Sequence, residues 1–84
     1  MKDKVLVEVY LPMAEQTFET LLPKDIRIAD AISLLSRVFS DLANVFYESM
    51  DNDVLCDRET GAIYNIGITV REANILNGSR LMLM

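Results

Sequence analysis

From Val5 to Leu11 the side chains alternate, with Val5, Val7 and Val9 on one face and Leu6, Glu8 and Tyr10 on the other. A repeat of two is the period of a strand with one buried face. "PMAEQ" interrupts the pattern, and it resumes from Thr17 to Leu22, setting Phe18, Thr20 and Leu22 against Thr17, Glu19 and Leu21. Two such runs joined by about five residues predict a β-hairpin. Pro23 ends the second run, because it has no N–H to give to a ladder. Beyond "PKDIR" the period changes: Ile28, Ile32, Leu35, Phe39, Leu42 and Phe46 are spaced 4, 3, 4, 3, 4. That spacing lays all six on one stripe of a helix running from Ile28 to Phe46. Asp30, Ser33, Arg37, Ser40, Asp41 and Asn44 fall on the opposite face. The stripe has to be buried, and the sheet is the apolar surface available to receive it.

The remainder is built of shorter pieces. "ESMDND" is a polar connector, and Val54 to Cys56 forms a short strand. "DRETG" makes a turn in which Gly61 suits a positive φ, and "AIYNI" reads as another short strand or extended segment. Thr69 and Glu72 stand in the S/T-x-x-E relation of a capping box, which starts a single helical turn. Asn77 to Ser79 is a tight-turn signal. The last run alternates again, with Leu81 and Leu83 on one face and Arg80, Met82 and Met84 on the other. The order is β-β-α-β-β-β. A helix crossing the sheet permits the first and last strands to pair in parallel at its centre, which a tight turn could not. The expected architecture is an α+β β-grasp: a mixed sheet packed on one long helix.

Composition narrows the function. The chain has 84 residues, of which 51% are hydrophobic and 25% charged. It reads as a single domain spanning 1–84 with one core, since a chain of this size buries roughly two thirds of its unfolded surface. That leaves little room for a large substrate cavity. Thirteen acidic and eight basic residues give a net charge of -5, and the basic ones are scattered. Nucleic acid and anionic membrane surfaces are therefore poor partners, because their binding draws on clustered positive charge. A single cysteine, Cys56, allows no internal disulfide, and a cytoplasmic setting fits best. The N-terminal apolar run is broken by Glu8 and Pro12, too short for a signal sequence or a membrane span.

The chain resembles the ubiquitin-like superfamily over nearly its whole length. Thr69, Asn74-Ile75, Ser79, Leu81 and Leu83 fall at the same relative spacing as in ubiquitin. Within that superfamily "GITVREANILNGSRLML" and the overall length are most similar to the small bacterial YukD/EsaB-type proteins, although Ser79 stands where their pattern usually has an acidic residue. Those proteins are accessory components of type VII secretion systems, so the resemblance implies a cytosolic accessory or regulatory role. Ubiquitin-like modifiers and sulfur carriers depend on a C-terminal Gly-Gly. No glycine follows Gly78 in this sequence, so the resemblance implies a module without that tail-dependent activity. The alternative is a sulfur carrier or protein modifier whose Gly-Gly tail is missing from this chain.

Catalytic readings find little support. Without histidine there is no imidazole base or imidazole ligand. Cys56 lies in a short apolar run without a histidine partner, which points to a structural thiol. The pairs Asp51/Asp53 and Asp57/Glu59 lack the glycine and distal glutamate of a calcium loop and read as solvated turn carboxylates. Ser33, Ser36 and Ser40 have no base to activate them and read as solvent-facing. A non-enzymatic protein with no cofactor and no metal is expected. A minimal enzyme is the remaining alternative, and it would have to declare itself by a bound ligand or by turnover.

What is left is surface. If Leu81 and Leu83 enter the core, Met82 and Met84 face outward beside Leu6 and Tyr10. Adjacent outward apolar side chains form a patch, and methionine adapts readily to a partner. The patch resembles in position the sheet face through which ubiquitin is recognised. Leu6, Tyr10, Met82 and Met84 are thus the candidate protein-binding residues, for a protein partner or for self-association. The competing reading is that the two methionines only fill the terminal strand.

Overall fold

Alternation from Lys4 to Pro23 folds into a hairpin, with β1 (Lys4–Leu11) paired antiparallel to β2 (Gln16–Pro23). The computed structural model describes residues 3–43 and 53–84, with backbone alone for 42 and 43. In the hairpin loop the N–H groups of Ala14 and Glu15 donate to the carbonyls of Leu11 and Pro12, both at 3.2 Å. Glu15 takes the reversal in the left-handed region, at φ 51°. A helix α1 (Ile28–Ala43) follows, then β3 (Leu55–Asp57) and β4 (Ser79–Leu83). The strand order is β2-β1-β4-β3, with β1 and β4 parallel and the other two pairings antiparallel. This is the α+β, ubiquitin-like β-grasp arrangement, with the first and last strands central.

The core follows from the two periodicities. Val5, Val7, Val9 and Leu11 of β1, Leu22 of β2, Leu55 of β3 and Leu81 and Leu83 of β4 are all buried. The helix answers with Ile28, Ile32, Leu35 and Phe39, joined by Ala31. The Phe39 ring lies 5.8 Å from that of Phe18, tilted by 49°, and closes the β2 side of the core. Two further stripe positions, Leu42 and Phe46, fall outside the described side chains, as does the expected extension of the helix through residues 44–46.

Among the described residues no side chain caps the start of α1. The N–H groups of Ile28 and Ala29, which lack intrahelical acceptors, donate instead to the carbonyls of Ile68 and Ile66 at 2.8 and 3.2 Å. The segment before β4 is thereby tied to the helix. Thr69 and Glu72 make the expected capping box: the Glu72 N–H donates to Thr69 Oγ1 at 3.0 Å, and the Thr69 N–H donates to Glu72 Oε1 at 2.9 Å. The hydrogen bonds from Thr69 hold the Glu72 carboxyl below its usual pKa, with help from nearby Arg27.

Two expectations are corrected. The fifth strand of the expected β-β-α-β-β-β order is absent from the described sheet, which has four: of its two readings "AIYNI" takes the extended segment, with one isolated bridge, Ile63 to Cys56. The Tyr64 N–H donates to the Leu55 carbonyl and the Asp57 N–H to the Ala62 carbonyl, both at 2.9 Å. Asn65 then turns the chain away, its Oδ1 accepting from the Gly67 N–H at 2.7 Å, which is an Asx-type turn. The serines of α1 are not uniformly solvent-facing. Ser33 is exposed, but Ser36 is buried and Ser40 half-buried. The Ser36 hydroxyl donates to the Ile32 carbonyl at 2.9 Å and that of Ser40 to the Ser36 carbonyl at 3.1 Å, a back-bonding that lets serine enter a helix interior.

Candidate functional site: the outer face of the sheet

The face of the sheet away from α1 is set by the residues that alternate with the core. On β1 these are Leu6, Glu8 and Tyr10; on β4 they are Arg80 and Met82. Their register is fixed by the parallel pairing, which places Glu8 opposite Arg80 and Tyr10 opposite Met82. On β3, Cys56 stands opposite Met82. Met84 continues the ladder just beyond β4, exchanging backbone hydrogen bonds with Val54 at 2.9 and 3.0 Å.

Three of the four predicted residues come together. Tyr10 and Met82 are half-buried cross-strand neighbours, and Met84, 50% exposed, follows on the same face of the same chain. Leu6 does not join them. It is 43% exposed at the other end of β1, where its direct neighbour on β2 is Leu21. Between the two apolar areas lies a charged row. Glu8 forms ion pairs with Arg80 at 3.7 Å and with Arg58 at 3.8 Å, and Arg80 reaches Glu59 at 3.9 Å. The patch expected from alternation is therefore divided, because the central outward residue of β1 is an acid that gathers two arginines.

Arg58 has a second contact. Its guanidinium carbon lies 4.3 Å from the centroid of the Tyr10 ring, within the range of a cation–π interaction. A partner approaching Tyr10 meets a ring already covered on one side by a cation. Arg58 escaped the sequence reading because it belongs to "DRETG", where only turn chemistry was visible. The Glu8–Arg80 pair was readable in principle, since both residues lie outward on strands expected to be parallel neighbours. The register needed to match them was missing.

Cys56 is fully buried although it occupies an outer-face position, and its Sγ–H lies 3.5 Å from the Met82 carbonyl oxygen. Burial raises its pKa, and the charge of Asp57 adds to that. Tyr64 is raised for the same reasons, burial first and then Asp57 and Cys56. A thiol held protonated and covered is a poor nucleophile. Among the described residues no group of three His, Cys, Asp or Glu side chains is placed to hold a metal ion. No described helix is long and apolar enough to cross a membrane.

The comparisons with known proteins bear on the fold. No family model matches the chain, and no curated protein matches it. Solved structures do. The EccD5 ubiquitin-like domain from Mycobacterium xenopi is 16% identical with a TM-score of 0.70, over 96% of this chain and 92% of that one. A chain of the MycP5-free ESX-5 inner membrane complex is 17% identical with a TM-score of 0.71 over 98% of this chain. The present chain spans about a fifth of its length, 21%. A ubiquitin-like domain of an Arabidopsis thaliana protein has a TM-score of 0.72 at 13% identity, covering 96% of this chain and 76% of that one. At such identities the likeness establishes the fold, and the fold is ubiquitin-like.

Proposed function

We propose that this ubiquitin-like module is a non-enzymatic protein-interaction domain that docks through the outer face of its sheet. In this reading it serves a type VII secretion apparatus from the cytoplasmic side as an accessory or regulatory component. The observation that carries the docking reading is the side-by-side placement of Tyr10 and Met82 on the two central strands, with half-exposed Met84 beside them. A flexible thioether next to an aromatic ring is the composition of adaptable binding surfaces. The charged row of Glu8, Arg58 and Arg80 borders this corner and supplies a polar rim. The secretion reading is supported by the likeness to the EccD5 ubiquitin-like domain and to a chain of the ESX-5 inner membrane complex. It also draws on the YukD/EsaB-type resemblance of "GITVREANILNGSRLML".

The test is made in the native host. A photo-crosslinking amino acid placed at Met84 of the chromosomally expressed chain should capture a component of the secretion apparatus. The same group placed at Met13, exposed on the hairpin loop, should not. Deletion of the gene should impair export of the small helical substrates of that system. Unimpaired export would remove the secretion role, and equal capture from both positions would remove the docking corner.

A further inference from the structure

The sheet has two edges, and they are not equivalent. The edge at β3 is closed, because the chain doubles back along it and bonds to Leu55 and Asp57 through Tyr64 and Ala62. Among the described residues nothing pairs with the outer edge of the eight-residue strand β2. Which groups it offers follows from Leu6. The Leu6 N–H donates to Asn77 Oδ1 at 2.8 Å, and its carbonyl accepts from the Gly78 N–H at 2.8 Å. Both Leu6 groups thus point toward β4. Its partner Leu21 belongs to a non-hydrogen-bonded pair, so the Leu21 groups point away from β1. By alternation the same holds for Glu19 and Thr17. Three N–H groups and three carbonyls are aimed outward, and no described residue bonds to them.

The ends of this edge are blocked. Pro23 is next in the outward-pointing series and has no N–H to present. At the other end Glu15 leaves strand geometry at φ 51°. These stops bear on self-pairing. A two-fold antiparallel pairing of two β2 edges that uses all three outward residues sets Glu19 opposite Glu19 of the second copy, and like charges directly opposite destabilise a ladder. Shifting the register by one hydrogen-bonded pair in either direction brings Pro23 or Glu15 into the ladder. A second copy is therefore disfavoured, whereas a cation opposite Glu19 is favoured.

We propose that the β2 edge docks an extended segment of another protein, adding a strand to the sheet, with a basic side chain opposite Glu19 and apolar side chains on the alternate positions. The alternate positions lie on the helix side of the sheet, beside Phe18 and Thr20. Both of these are half-buried, and Phe18 packs on Phe39. An apolar residue there completes cover that the sheet edge leaves open, while main-chain hydrogen bonds to Thr17, Glu19 and Leu21 supply the pairing. This edge adjoins the Tyr10–Met82 corner, since Thr17 pairs with Tyr10, but it offers main-chain groups rather than an outer side-chain face and stands whether or not that corner binds a partner.

The probe is a capped synthetic peptide, Val-Thr-Val-Lys-Val-Thr-Val, and its counterpart with Asp in place of Lys. Amide hydrogen exchange and chemical shifts of the labelled full chain are followed by NMR. The Lys peptide should slow exchange at Thr17, Glu19 and Leu21 and bind about three- to tenfold more tightly than the Asp peptide. Glu19→Lys, at an exposed position, should fold normally and invert that preference. Unchanged exchange at the three amides with either peptide would overturn the proposal, and so would an unchanged preference in Glu19→Lys. Concentration-dependent protection of these amides in the absence of peptide would make a second copy the occupant and overturn it equally.

Discussion

The guanidinium of Arg58 lies 4.3 Å from the centre of the Tyr10 ring and so joins the turn after β3 to the outer face of β1. Both residues neighbour Glu8, one along the strand and one through an ion pair at 3.8 Å. Arg58→Ala should expose the ring at a cost of about 0.5–1 kcal/mol in stability. Greater broadening of the Tyr10 ring signals by a soluble paramagnetic agent, with a small drop in the urea midpoint, is the expected result.

Glu8 separates Leu6 and Leu21 from Tyr10 and Met82, so its replacement should change how the molecule meets its neighbours. Glu8→Leu makes the outward face of β1 continuously apolar and removes the anchor of both arginines. Sedimentation velocity should show concentration-dependent association of this variant at concentrations where the parent does not associate. The exposed ion pairs themselves contribute little, roughly 0–1 kcal/mol each, so the fold should survive.

Leu35 is fully buried in the helical stripe and belongs to the same core cluster as the valines of β1. Leu35→Ala should cost about 2–5 kcal/mol through lost burial and the cavity left behind. In a domain of this size that is a large share of total stability. Denaturant unfolding followed by circular dichroism measures it directly.

Gly78 delivers the chain into β4 at φ +86°, and a Cβ added there would meet nothing within 4 Å. The cost of Gly78→Ala is therefore one of backbone conformation alone, about 1 kcal/mol. Gly61, at φ +78° with equally open surroundings, should behave alike. A much larger loss at Gly78 would mean that the Leu6–Asn77 contact moves with it.

Acid should weaken the capping box. The Glu72 carboxyl is held below its ordinary pKa by its hydrogen bonds to Thr69. A carboxyl whose pKa is depressed by folding adds stability that is complete above its unfolded value and is lost as pH falls through the folded one. Stability should thus decline below the ordinary carboxylate range, and Glu72→Ala should flatten that part of the profile. Thermal melts of both proteins across acidic pH provide the comparison.

The periodic elements were legible because they are local. Alternation in "VLVEVYL" and the stripe from Ile28 to Phe39 specify which side of each element is apolar, whatever they pack against. The Thr69–Glu72 box was equally legible, since both partners lie within one turn. "AIYNI" left a strand and an extended segment open because its apolar residues suit either, and the Asx-type turn at Asn65 and the bonding of one side only to Leu55 and Asp57 reduce it to a single bridge.

The sequence by itself determined the β-grasp: two periods, their order, and the turn residues between them leave few other ways to bury every apolar face. Only tertiary structure decided what lies on the outside. The meeting of Glu8 with Arg80, the cover of Tyr10 by Arg58, the capping of α1 by the carbonyls of Ile66 and Ile68, and the outward aim of Thr17, Glu19 and Leu21 all depend on register between distant segments. Turn geometry fixes the register within a hairpin, but the matching of strands far apart in the chain, such as β1 with β4, is decided only when they pack.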